Sequence, residues 1–483
     1  MIHENGHKLG VNPYLPSWEY IPDAEPHVFG DRVYIYGSHD RFNGYMYCLN
    51  DYVCWSAPVD DLREWRYEGV ILKTLEDPFN PDGDGALYAP DVCQGIDGRF
   101  YLYYVLSNKP FISVAVSDVP QGPYKYLGRV QDSQGGIVGL RPGDEPQFDP
   151  AVLNEGDKTY LYTGFCLPGD TSRSGPMAMT LGPDMITLLE EPVFIMPSEP
   201  YSAGSGYEGH EFFEAPSIRK INGLYYFVYS SIKMYELCYA VSSEPRSGFV
   251  FGGTIISNND MGIDCYKPVD KPMYYGGNNH GGMEIINGQT YIFYHRHTNG
   301  SNYSRQTCAE KIEIAEDGSI AQVSLTSCGL NPGPLPAEGR YPAYIACHLF
   351  GQKDNPYTGG MGENGLWLDS IYPKITQDGS DENPKEAFIL NMTKGSTAGF
   401  KSFSTLGMRK HPSGLRIWTR GYGSGVFEVK TKWDGKILAE IPVGFSNVWK
   451  SYAADVKFTD DVFDLYLTFN GEGSLALLSI TFE

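Results

Sequence analysis

No apolar run in this 483-residue chain is long enough to span a bilayer, and its first residues, MIHENGHKLGVNPYLP, hold neither a basic stretch nor an apolar segment of the kind a secretory leader needs. A cytoplasmic location without a membrane partner is the expectation that follows. Positive charge is also scarce: 37 Lys and Arg face 59 Asp and Glu, for a formal charge of -22. Such a surface repels a phosphate backbone, which argues against a nucleic-acid partner and leaves neutral or cationic ligands. The nine cysteines show no CxxC spacing, so neither a zinc site nor a disulfide framework is supported, and nothing points to an organic cofactor. Cys48 and Cys54 could meet across a hairpin, although in a reducing compartment packing as free thiols is the preferred reading.

What the chain has in plenty is tyrosine, glycine and proline: 36, 56 and 33 residues, the composition of many short strands joined by turns. This is an all-β chain. The stretch PHVFGDRVYIYG, residues 26–37, reads as two strands around a Gly-Asp turn, and its core pattern recurs as GDRVYIY, DGRFYLY, GDKTYLY, NGLYYFV and NGQTYIF. The aligned tyrosines Tyr34, Tyr101, Tyr160, Tyr226 and Tyr291 stand 67, 59, 66 and 65 residues apart. A near-constant period with about four strands per repeat is the pattern of a five-bladed β-propeller, here over residues 1–335. Past NPGPLPAEGR the repeat stops, and alternating segments such as LWLDSIYPKI and DLYLTFNGEGSLALLSITF point to a jelly-roll-like β-sandwich over residues 345–483.

The first strand of each propeller blade lines the central channel, so equivalent residues converge on one axis. Counting back ten to twelve residues from each aligned tyrosine gives Asp23, Asp91, Asp149, Glu214 and His280. Aspartate is disfavoured inside strands, and like charges held together are costly, so packing alone does not account for four acids there. Crowded carboxylates acquire unequal proton affinities, which is what glycoside hydrolysis requires of its acid and its base. His280 could be a satisfied polar residue in a crowded channel or a ligand to an axial cation, for which a hard ion such as calcium suits the carboxylate surroundings.

Five motifs, PDAEPHVFGDRVYIYGSHD, YAPDVCQGIDGRFYLYYV, FDPAVLNEGDKTYLY, FEAPSIRKINGLYYFVYS and NHGGMEIINGQTYIFYH, together resemble glycoside hydrolase family 43 in content and order. The remainder is similar, more loosely, to β-sandwiches related to carbohydrate-binding module family 6. The resemblance implies an enzyme acting on arabinose- and xylose-containing oligosaccharides. In it Asp23 is the general base, Glu214 the general acid, and Asp149 the third carboxylate that tunes and orients the acid. The family inverts the anomeric centre, which implies roughly 6.5 to 9.5 Å between base and acid. His280 matches a histidine near an axial calcium, and Arg305 matches an arginine that binds the terminal sugar, with a surface salt bridge as its competing role. Asp91 and Asn279 join it as substrate-binding candidates, the latter equally readable as a turn residue. Tyr88 stands where the family often has Trp. Trp55 is either a stacking platform or, preferably, core.

Taken together these readings favour an exo-acting α-L-arabinofuranosidase, with β-D-xylosidase second and a non-catalytic carbohydrate-binding propeller as the alternative of another class. The C-terminal part either binds glycan or packs on the propeller. Packing is preferred, because Trp367, Trp418, Trp433 and Trp449 form no evident exposed cluster. Oligomeric state is not legible.

Overall fold

The five repeated hairpins fold as the first two strands of five antiparallel sheets, because each short turn reverses the chain between segments that bury their tyrosines and aliphatics. At 222–223 and 287–288 both turn residues have positive φ, the combination that an Asn-Gly pair supplies and that matches strand twist. The computed structural model describes residues 8–263, 267–268, 271–352, 372–381 and 383–483. Trp367 and most of the LWLDSIYPKI segment lie outside them. Among the described residues no helix is long and apolar enough to cross a membrane.

Blade one comprises β1 (Glu25–Phe29), β2 (Arg32–Tyr36), β3 (Tyr52–Pro58) and β4 (Arg66–Leu72). Blade two follows as β5 (Leu87–Gln94), β6 (Phe100–Leu106), β7 (Ile112–Ser117) and β8 (Lys125–Arg129). Blade three is β9 (Ala151–Glu155), β10 (Lys158–Thr163), β11 (Met177–Leu181) and β12 (Leu188–Phe194). Blade four is β13 (Phe212–Ile221), β14 (Leu224–Ser231), β15 (Glu236–Ser242) and β16 (Val250–Ser257). Blade five has three described strands, β17 (Met283–Ile286), β18 (Gln289–His297) and β19 (Arg305–Ile312). Each sheet is a simple meander, and the inner strands β1, β5, β9, β13 and β17 touch their neighbours in a closed ring. The chain is thus all-β with a five-bladed propeller.

The ring is fastened where the chain's two ends of the propeller meet. A parallel bridge joins Ala24 to Gly281, and Asn12 lies along β19 with its side-chain amide giving a hydrogen bond to Ala309 O (3.0 Å) and accepting one from Ala309 N (2.9 Å). The amide thereby does for β19 what a neighbouring strand would do. All eight cysteines among the described residues, Cys48 and Cys54 included, are buried free thiols.

The C-terminal part consists of β20 (Leu335–Pro336), β21 (Gly339–Pro342), β22 (His348–Phe350), β23 (Lys374–Ser380), β24 (Asn383–Met392), β25 (Thr397–Ser404), β26 (Gly414–Lys430), β27 (Ala439–Val443), β28 (Ser446–Asp455) and β29 (Val462–Phe482). The described strands form one mixed, ten-stranded hydrogen-bonded network rather than two separate sheets, because the long β26 and β29 run together through both halves of it. Glycines allow this. The β26–β29 pair approaches closely at Gly425 and Gly471, where any side chain would collide with the facing backbone. Both ends of β29 feed one apolar core, which also takes Leu9, Val11, Met273, Tyr274 and Tyr275 from the first part of the chain. Trp418, Trp433 and Trp449 are half-buried, whereas Tyr422 and Phe445, which a search for tryptophan passes over, are exposed with rings 5.1 Å apart.

Two buried polar knots tie the parts together. Arg296 of β18 donates to Ala346 O (2.7 Å) and Tyr344 O (3.0 Å). Asp260 accepts from His348 Nε2 (2.6 Å) and Leu325 N (2.8 Å), with the Lys401 ammonium 3.7 Å away. Removing the anion strands a buried cation. Asp260→Asn, which keeps the side-chain shape and tolerates the residue's positive φ, is expected to lower stability by about 3 kcal/mol, read by chemical denaturation.

Candidate active site

Register explains which predicted residues meet. The aligned tyrosines pair with His27, Cys93, Leu153, Arg219 and Glu284 on the inner strands. Asp23, Asp149 and His280 all stand eleven residues before their tyrosine and occupy one level of the channel. Asp91 stands ten before, pairs with Tyr103 as Glu25 pairs with Tyr36, and so falls one level deeper. Glu214 stands twelve before. There the backbone enters the strand through Ala215 at φ 67, the counterpart of φ 58 at Asp23 and φ 45 at Asp149, so blade four aims the residue before the left-handed position. A left-handed alanine costs on the order of 1 kcal/mol, strain of the kind that collects at functional sites.

A single cavity of about 200 Å3 receives Asp23, Asp149, Glu214, His280, Arg305 and Tyr88. Much of the remaining wall is apolar, with Phe148, Phe165, Phe213, Leu167 and Met234. Asp23 accepts from Arg305 Nη1 at 3.1 Å, and His280 Nδ1 lies 3.8 Å from both Asp23 and Asp149. His295 Nε2 stands 2.8 Å from Asn278 O, to which it can donate, and its Nδ1 accepts from the Asp23 N–H at 3.2 Å. The Asn278 amide reaches Glu214 at 3.5 Å, and the Ala215 N–H donates to Asp149 at 3.3 Å.

These surroundings split the carboxyls electrostatically. Burial would raise Asp23, but the Arg305 guanidinium, with the two histidines, outweighs it and holds the carboxyl well below the usual carboxylate range. Burial pushes Asp149 well up, helped by the charges of Glu214 and Asp23. Glu214 is pushed up to about 7 by burial and by Asp23. One ionised and one protonated carboxyl therefore share the cavity near neutral pH. His280 is lowered to about 4, chiefly by burial, which keeps its ring neutral and able to act as a ligand.

Two sequence readings change. Asp91 does not line the cavity: its oxygens are taken by His27 Nε2 (2.6 Å), Val92 N (2.7 Å) and Val152 N (2.7 Å), so it ties blade one to blades two and three. Asn279 is fully buried, held by Tyr235 O and His295 N, and its neighbour Asn278 faces the cavity instead. Arg305 is no surface residue but is buried between Asp23 and Asp40. Trp55 is core, its Nε1 bonded to Glu19 at 2.9 Å. Asp40, Asn278 and His295 were missed. The apolar wall had a signal, since Phe148 and Phe213 immediately precede Asp149 and Glu214 as Tyr88 precedes Ala89.

Below the cavity, Glu25, His27 and Asp91 bring ligand atoms within 4.8 Å of one another. Glu25 Oε2 accepts from Ser217 (3.0 Å) and Arg219 (3.1 Å), while its buried Oε1 has no partner. An orphaned carboxylate oxygen beside a second carboxylate and a histidine fits a hard divalent cation.

The chain was compared with known proteins. The model of glycosyl hydrolases family 43 matches residues 19–320. A xylosidase/arabinosidase of Thermoclostridium stercorarium is 61% identical over 474 residues, 98% of this chain and 99% of that one. A solved β-xylosidase/α-arabinofuranosidase from a compost microbial metagenome, in complex with xylotriose and in a calcium-free form, superposes with a TM-score of 0.51 at 26% identity over 66% of this chain and 98% of its own. An arabinoxylan arabinofuranohydrolase structure from Bacillus subtilis, at 21% identity, shares the fold over 96% of this chain and 95% of its own with a TM-score of 0.51.

The unequal carboxyls give a direct spectroscopic expectation. Near neutral pH the infrared spectrum should hold a protonated-carboxyl C=O stretch, which weakens as pH rises through about 7 and is reduced in Glu214→Gln.

Proposed function

Since the chain belongs to glycosyl hydrolase family 43, we propose that it is an exo-acting, inverting glycosidase releasing terminal α-L-arabinofuranosyl and β-D-xylosyl units from small oligosaccharides. The observation that carries this is the opposed proton affinity of Asp23 and the Asp149/Glu214 pair around one small cavity. Asp23, kept ionised by Arg305, takes a proton from the attacking water. Glu214, kept protonated, delivers its proton to the departing glycosidic oxygen. Asp149 stays beside it, its own proton affinity raised by burial and by the charge of Glu214, and the Asn278 amide fixes the direction of the acid. The apolar walls favour the faces of a pentose ring. Both activities are combined in the name of the relative that is 61% identical, which supports a double specificity. With three carboxyls in place, a binding-only role has no support.

Calcium is the implied metal. Glu25 and Asp91, with His280 above them, would hold it, and it would supply positive charge beneath the catalytic carboxyls. Arg219 already supplies part of that charge.

The sign of the pH dependence follows from the two groups. Activity needs protonated Glu214 and so is present below about 7 and lost as pH rises through that value. Asp23 must be ionised, and its lowered affinity moves the acid limb below ordinary carboxylate titration. Aryl α-L-arabinofuranoside and aryl β-D-xyloside should both be cleaved, with Asp23→Asn costing about 10³-fold in kcat on each; wild-type turnover of xylobiose by Glu214→Gln would overturn the acid assignment. Chelated protein should gain thermal stability on adding calcium, by about 2.7 kcal/mol at 100 times Kd. Glu25→Gln should abolish that gain.

A further inference from the structure

The buried Asp40 carboxylate is used by neither the proton chemistry nor the cavity wall, yet it is among the most completely bonded acids in the protein. Its Oδ2 accepts from Arg305 Nε (2.8 Å) and from the Arg305 backbone N (3.1 Å). Its Oδ1 accepts from Arg305 Nη2 (2.9 Å) and Cys48 N (3.0 Å). This is a two-pronged fork, the geometry that fixes a guanidinium in a plane as a single contact cannot. The Tyr47 ring, 4.8 Å from the guanidinium carbon, adds a cation–π contact to the same group. Only Nη1 is left to reach Asp23.

We propose that Asp40 is a positioning residue for the reaction, acting through Arg305. The inference rests on the reading of Asp23 as the base. A base that accepts water must keep an oxygen free. Nη1 is now the one guanidinium nitrogen on Asp23, closer to Oδ1 (3.1 Å) than to Oδ2 (3.4 Å); without Asp40, the guanidinium could turn its own fork onto Asp23 and hold each oxygen with a separate N–H. Asp40 also balances the charge of Arg305, which otherwise would draw the proton from Glu214, because Arg305 already favours the ionised form of that group. Asp40 therefore sets where the base points and how strongly the acid holds its proton. The loop it begins is backed from the C-terminal part. Asp381 accepts from Phe42 N (3.1 Å), and Gln377 of β23 accepts from Tyr20 OH (3.3 Å), whose backbone carbonyl accepts the Asp40 N–H (2.9 Å).

The test is a set of variants measured for kcat/KM and for the position of the basic limb. Asp40→Asn should lose about 100-fold in kcat/KM, mostly in kcat, and its basic limb should move down by about one pH unit as the uncompensated guanidinium pulls on Glu214. Asp40→Glu, which keeps the charge and is the variant to rely on if Asp40→Asn does not fold, should leave the limb in place and lose less activity. In an Arg305→Gln background, adding Asp40→Asn should cost less than threefold. An Asp40→Asn protein that unfolds cooperatively but keeps the wild-type limb would overturn the proposal. So would an Asp40→Glu variant whose limb moves, or an Asp40→Asn loss of the same size with and without Arg305. Failure of the functional reading would look different: a basic limb that Glu214→Gln leaves unchanged.

Discussion

The cavity works as a site because one buried guanidinium distinguishes otherwise similar acids. Asp23, Asp149 and Glu214 are all buried, and burial by itself raises every carboxyl. Only Asp23 has Arg305 within hydrogen-bond distance. An exposed ion pair would be screened to insignificance, whereas this one lies in a dry wall where its sign prevails. Division of labour among the acids is thus a matter of which of them touches the cation.

The propeller supplies the meeting point. No single blade could hold these groups, since Asp23, Asp149, Glu214, His280 and Arg305 come from four different blades. Each blade brings one inner strand to the axis and one entry residue to the upper level. The strand below that level carries a second polar layer of Glu25, Asp91 and Ser217, linked to Arg219. Reaction and support occupy successive layers of one channel.

Much of this could be read from the chain. The spacing of Tyr34, Tyr101, Tyr160, Tyr226 and Tyr291 gave the blade count, because a repeated turn and strand must recur at the length of the repeat. The motifs led to Asp23, Asp149, Glu214, His280, Tyr88 and Arg305, all of which face the cavity. The misplacements came from counting by residue where the chain counts by strand register. One residue of difference in the blade-two hairpin sent Asp91 a level down, and the left-handed Ala215 moved the blade-four position by one. Asp40 and His295 close two of the quoted motifs, yet the spacing gave them no role, since Asp40 lies in the loop after β2, His295 lies near the end of β18, and each meets a partner more than two hundred residues away. The continuous C-terminal sheet was equally hidden, because alternation reports which face of a strand is buried and not which strand lies beside it.

The clasp of Asn12 on β19 bears on how the molecule comes into being. A ribosome releases Asn12 nearly three hundred residues before its partner Ala309. Early blades can fold as they emerge, each being a local meander, while the circle stays open. Asp23 then waits for Arg305, and a newborn enzyme has no differentiated acids until its last blade docks.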